Sequence, residues 1–155
     1  LPVNFPKDIR SMILWMCDRT TSGGLRPEVS WNSNKTIEPL PDKKKVLYAF
    51  TILWNLWDNA QKVAGGKEGG WFRISIQSAD VEACMRIDFT NLGKMPAQWI
   101  RYLNDQGPSP NTEDRKRGLE IVKELLLEFN WRIKCRVENG TTLIRLSIPQ
   151  ESTAK

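Results

Sequence analysis

The sequence predicts an α+β fold: a two-layer α/β sandwich with helices on one face of a mixed, mostly antiparallel sheet. Three observations lead there. The chain has 155 residues, and one domain takes about 100–200. Two long segments carry apolar residues at helical spacing, and two pairs of segments alternate apolar with polar residues. Turn formers separate these segments, and no internal repeat interrupts the order helix, strand, helix, two strands, loop, helix, hairpin.

The first helix is expected over residues 6–21, where Pro6 and Asp8 precede Ile9, Met12, Ile13 and Met16. Gly23 and Gly24 end it. Leu25 to Trp31 reads as a strand, and Pro27 assigns it to a sheet edge. After a polar loop, Lys43 to about Val63 has the period of a long helix. Its stripe holds Val46, Phe50, Leu53, Trp54 and Trp57, with Tyr48, Ile52 and Leu56 as a second row, so burial on most sides is expected. Asn55, Asn59 and Lys62 line up along the same helix. Amides on a buried helix need partners, which makes this row the first candidate site.

Beyond the glycine-rich turn at 64–70, Phe72, Ile74 and Ile76 alternate with Arg73, Ser75 and Gln77, and Met85, Ile87 and Phe89 alternate with Arg86, Asp88 and Thr90. Both are half-buried strands, joined by a turn near 78–82. Residues 91–111 form a loop region with a short helix over Ala97–Leu103. Gly118 to Phe129 is another helix, with Leu119, Val122, Leu125, Leu126 and Phe129 on one face. Asn139-Gly140 joins two further alternating runs, a strong hairpin signal. Arg132, Lys134, Arg136 and Arg145 fall on one sheet face without aromatic residues among them, so that face lacks the stacking platform of a nucleic-acid reader.

Composition narrows the chemistry. The chain contains no histidine, which excludes imidazole general bases, Ser-His-Asp and Cys-His arrangements and His-ligated zinc. A net charge of +5 fits phosphates or acidic partners. No stretch is long and apolar enough to span a membrane, and the N-terminus lacks the pattern of a signal peptide. The start at Leu1 suggests a piece of something longer. Cys17, Cys84 and Cys135 are odd in number and widely spaced, as expected for reduced core thiols in the cytoplasm. The sequons at Asn34 and Asn139 would then stay unused.

Three segments together carry a resemblance. Residues 52–63, ILWNLWDNAQKV, resemble the N box of histidine-kinase catalytic domains, within the gyrase/Hsp90/histidine-kinase/MutL ATPase superfamily. Residues 87–96, IDFTNLGKMP, resemble the first glycine box. Residues 115–149 resemble the second glycine box with its closing helix and hairpin. The resemblance covers most of the chain and implies a single ATPase domain over 1–155, with a lead-in helix in 1–24 and a lid-like loop over 97–117. It implies ATP and Mg²⁺ as cofactors. Asn59 would be the Mg²⁺-binding asparagine, Asn55 would meet water or metal, and Lys62 a phosphate oxygen. Mg²⁺ takes oxygen ligands and shares them with nucleotide phosphates, a role an amide oxygen can fill without added charge.

The chain also departs from that family. Asn91 stands at the adenine-binding aspartate, Gly93 at the first glycine and Met95 at the second. Of the second box only Gly118 remains, preceded by Arg115, Lys116 and Arg117, which could grip phosphates as charges. Trp99 and Tyr102 stand where the family has an aromatic box. The implied function is the ATP-binding domain of a sensor histidine kinase that transfers phosphate to a histidine outside this chain. Its partners would be a dimerisation and phosphoacceptor domain in cis or trans and a response regulator, with no nucleic acid and no membrane contact. The alternative is a degenerate domain retained as a protein-interaction or scaffolding module.

Overall fold

The computed structural model describes residues 5–19, 25–32, 39–79, 84–110 and 117–149. Among them are helices α1 (Ile9–Arg19), α2 (Lys43–Gly65), α3 (Ala97–Leu103) and α4 (Arg117–Leu126), and strands β1 (Glu28–Asn32), β2 (Phe72–Ala79), β3 (Cys84–Leu92), β4 (Arg132–Glu138) and β5 (Thr141–Pro149). The strands form one sheet in the order β1-β2-β3-β5-β4. Only β1 with β2 is parallel, and the other three pairings are antiparallel. This is the expected α+β sandwich, and β1 is indeed an edge, entered from Pro27. The turn expected near 78–82 falls largely outside the described residues.

Local chemistry sets the element ends. The Asp8 carboxylate accepts from the Ser11 backbone N–H at 2.8 Å and so caps α1. Asp42 caps α2 in the same way through Lys45 N–H at 2.8 Å. Asn139 and Gly140 both have positive φ, 51° and 76°, as a two-residue hairpin turn between right-twisted strands requires.

One sheet face is buried under α1, α2 and α4. Ile74, Ile76, Ile87, Phe89, Ile144 and Leu146 from the strands meet Met12, Ile13 and Met16 of α1, Leu53, Leu56 and Trp57 of α2, and Leu119 and Val122 of α4 in one core. Each such side chain contributes about 1.5–3 kcal/mol on burial. The α2 stripe is narrower than expected. Trp54 is 42% exposed and Leu47 45%, while the buried row runs through Val46, Ala49, Leu53, Trp57, Ala60 and Ala64. Trp54 instead stacks on Phe50, which meets Trp15 and Phe5 edge-on at the margin of the helix layer. Helix α4 runs antiparallel to α2: its start lies at Asn55, and at its far end Lys45 Nζ donates to the Glu128 carbonyl.

Among the described residues the other sheet face is free of helices. Strand register places its residues in cross-strand rows, among them Ser30, Ser75, Asp88, Arg145 and Lys134. Asp88 is buried there because Arg145 grips its carboxylate with two nitrogens, at 2.8 and 3.0 Å, and Gln77 adds a third contact at 3.3 Å.

Candidate functional site

Helix α2 carries the row. Asn55, Asn59 and Val63 follow at intervals of four, so they share one face and span about 12 Å of helix axis. Both ends of this row touch a glycine. A Cβ added at Gly118 would stand 2.6 Å from Asn55 Oδ1, and one added at Gly93 would stand 2.7 Å from Val63 Cγ1. The backbone of α4's first turn and that of the β3 exit thus approach α2 as closely as any residue type allows.

Between them lies Asn59. Its Nδ2 is buried and has no hydrogen-bond partner among the described residues. Leaving an amide in that condition costs about 1–3 kcal/mol, so an orphan at the centre of a polar row marks a place where a ligand would restore the balance. Asn55 differs: its Nδ2 donates to the Thr51 carbonyl at 2.7 Å, which fixes the amide and turns Oδ1 toward Gly118. Lys62 leans back to Asp58, Nζ to Oδ2 2.9 Å, and is largely in solvent. The third member of the row is Val63, with Lys67 one turn further on; a Cβ at Gly93 would lie 3.7 Å from Lys67 Cε. Lys67 lies past the end of the helix, so helical periodicity does not mark it, although the spacing of four from Val63 continues to it.

At the β3 exit, Asn91 is 1% exposed and on the helix-covered face, between Phe72 and Thr142. Its Nδ2 donates to the Leu92 carbonyl at 3.0 Å. That bond fixes the amide's orientation, with Nδ2 on the Leu92 carbonyl and Oδ1 as the acceptor end. Asn91 therefore offers what a carboxylate would offer, without the charge. Gly93 has φ +119°, a region side chains rarely tolerate. Thr142 Oγ1 donates to the Gly93 carbonyl at 2.7 Å and accepts from Met95 N–H at 3.0 Å, which pins the turn. The Met95 side chain leaves the site altogether. It is buried in the core, where Cys135 Sγ lies 3.7 Å from its sulfur. Burial alone pushes the Cys135 thiol up to about 12.

Asp88 and Thr90 face the helix-free side, and Asp88 is committed to Arg145, so neither joins the row. The structure brings together Asn55, Asn59, Gly93 and Gly118, with Asn91 beside Gly93. Arg117 is exposed in the first turn of α4, while Arg115 and Lys116 lie outside the described residues. Of the stretch 97–117, residues 97–103 are the helix α3. Trp99 is 1% exposed in the core, and Tyr102 meets it edge-on, 5.7 Å between centroids. The turn that follows is tied to α4 by Lys123 with Asp105 and by Ser109 Oγ with Glu120 Oε1 at 3.1 Å. Burial, then Glu120, Glu124 and Asp105, raise the Tyr102 hydroxyl above its ordinary value. Among the described residues no His, Cys, Asp and Glu group could hold a metal ion, and no helix is long and apolar enough to cross a membrane.

No model of a known protein family matches the sequence, and no curated protein matches it. Solved structures do. The chain is similar to the mycobacterial sensor histidine kinase MprB, with TM-score 0.63, 17% identity, and 90% of each chain covered. It is similar to the Acinetobacter baumannii histidine kinase AdeS, with TM-score 0.60, 16% identity, 98% of this chain and 70% of the other covered. It is also similar to the nucleotide-free catalytic domain of histidine kinase ThkA, with TM-score 0.59, 17% identity, and 79% and 78% covered. The fold of this chain is that of histidine-kinase catalytic domains.

Proposed function

We propose that the chain is an ATP-binding catalytic domain of the histidine-kinase kind, holding Mg-ATP against the α2 row. One observation carries the reading: the buried, unpartnered amide of Asn59 lies between two glycines whose backbones close on Asn55 and Val63. Only glycine fits at either position, because Asn55 and Val63 already fill the space a Cβ would take, and the donor set is amide oxygens and lysines, which suits a hard cation and phosphates. Asn59 would hold Mg²⁺ through Oδ1 while its unpartnered Nδ2 donates to a phosphate oxygen, and Asn55 would hold the metal's water. The acceptor Oδ1 of Asn91 would receive the amine of the base, and Gly93 would let backbone approach it. Gly118, with the N–H groups of α4's first turn, would receive phosphate. Arg115, Lys116 and Arg117 would add charge there, and Lys62 can exchange its exposed pair with Asp58 for a phosphate oxygen.

Mg-ATP supplies the phosphoryl group and much of the charge neutralisation for its transfer. The chain's own part is positioning and electrostatics, which dominate this class of reaction and need no imidazole base. With no histidine in its 155 residues, the acceptor histidine belongs to a dimerisation and phosphoacceptor domain, in cis or trans, in the cytoplasm. A response regulator would take the phosphate onward.

A second reading has its own observation. Val63 occupies the space over Gly93, and two of the three glycines of the second box are replaced, as in a degenerate domain kept for protein contacts. Calorimetric titration with Mg²⁺ and a non-hydrolysable ATP analogue separates the two. Saturable heat is expected; none at millimolar analogue would favour the interaction module.

A further inference from the structure

Among the described residues the helix-free face carries six cations: Arg73 on β2, Arg86 on β3, Arg145 on β5, and Arg132, Lys134 and Arg136 on β4. They are not equivalent. Arg73 pairs with Glu28 and Arg145 with Asp88, so much of the charge on the inner strands is internally matched. The β4 triplet is different. All three side chains are exposed, and none makes an ion pair among the described residues. They stand at every second residue of an edge strand, about 6.7 Å apart.

Beside the triplet is a recess of about 230 Å³, lined by Lys134, Arg136, Arg145, Leu143, Asn104 and Gln106 among others. The edge itself is occupied. Asn104 Nδ2 donates to the Cys135 carbonyl and its Oδ1 accepts from Cys135 N–H, both at 2.8 Å. A partner chain therefore cannot extend the sheet at the centre of β4 and must lie over the face.

We infer that the β4 side of the helix-free face, Arg132, Lys134 and Arg136 with the recess beside them, docks an acidic polypeptide segment in extended conformation. Carboxylates at alternate positions of such a segment repeat at the same interval as the triplet, so each meets one cation. The recess, with Leu143 as its apolar wall, admits one carboxylate side chain between Lys134 and Arg136. Nucleic acid fits less well: among the described residues the β4 side of the face has no exposed aromatic ring for stacking, and the half-buried Trp71 on the far side is already covered by Arg73. The surface is distinct from the α2 row, on the opposite side of the sheet.

The test uses the 155-residue chain and a fluorescent peptide with glutamate at every second residue, followed by anisotropy at low salt. Binding is expected, weakened by added salt. The triple variant Arg132→Gln, Lys134→Gln, Arg136→Gln should lose about tenfold in affinity, as three exposed pairs imply. The control Lys7→Gln, Lys43→Gln, Lys44→Gln removes equal charge from the helix side and should stay within about twofold. Circular dichroism checks that both variants fold; if the triple variant unfolds, single Lys134→Gln, expected to lose about twofold, replaces it. No binding to the peptide, equal loss in the control, or tighter binding of a single-stranded oligonucleotide through the same residues would each overturn the proposal.

Discussion

Gly93→Ala tests how tightly the β3 exit is held against α2. Two costs add. At φ +119° a side chain is strained by about 1–3 kcal/mol. The new Cβ would also stand 2.7 Å from Val63 Cγ1, against a carbon–carbon optimum of about 3.5–4.0 Å. An overlap of that size forces repacking at about 1–3 kcal/mol. The sum, about 4 kcal/mol, corresponds to a drop of about 8–16 °C in Tm for a chain of this length. The contributions separate in a double-mutant cycle. Val63→Ala alone costs about 1–2 kcal/mol, because the side chain is only half-buried. In the double variant the overlap disappears while the backbone strain stays, so the pair should lose about 1–3 kcal/mol less than the sum of the singles. Urea unfolding, with the slope unchanged between variants, reads this directly. A loss under about 0.5 kcal/mol for Gly93→Ala, or strict additivity with Val63→Ala, would refute the close approach.

Further predictions concern the sheet and its edge. Asp88→Ala leaves the Arg145 guanidinium half-buried without its carboxylate and should cost about 2–3 kcal/mol in denaturant unfolding. Asn104→Ala removes both hydrogen bonds to Cys135, for about 2 kcal/mol, and opens the β4 edge; light scattering should detect concentration-dependent association absent from the parent. Cys135 should resist thiol reagents at neutral pH in the folded chain while Cys17, only half-buried, reacts first. The raised Cys135 value also sets a sign. Its contribution to stability is intact below the ordinary thiol value of 9.0 and is lost as pH rises toward about 12, a decline that Cys135→Ala should blunt.

Local rules carried the sequence reading far. Asp42 before a long apolar period, Asn139-Gly140 between alternating runs and Pro27 before β1 each act within a few residues, and each is visible without the fold. The row on α2 was legible for the same reason, because helical spacing alone aligns Asn55 with Asn59. What stayed hidden depends on partners distant in sequence. Met95 stands at a family glycine, yet its side chain turns into the core toward Cys135, 40 residues away. Lys62 reads as part of the row, but Asp58 draws it aside and Val63 takes its position. Asp88 falls on the polar side of its strand and is buried there only because Arg145 comes from β5. The breadth of the α2 stripe depends on distant partners too: Trp54 is apolar at helical spacing, but no element covers that side of the helix among the described residues.

The central claim is that the Asn59 amide faces a Mg²⁺-nucleotide. Calorimetric affinities for a non-hydrolysable ATP analogue, with and without Mg²⁺, should be compared between the parent chain and Asn59→Ala. In the parent, Mg²⁺ should strengthen binding, and the substitution should remove about 10–100-fold of affinity, as for one lost contact to a charged group. It should do so only when Mg²⁺ is present. Equal affinity in the two proteins with Mg²⁺, or an equal loss with and without it, would contradict the claim.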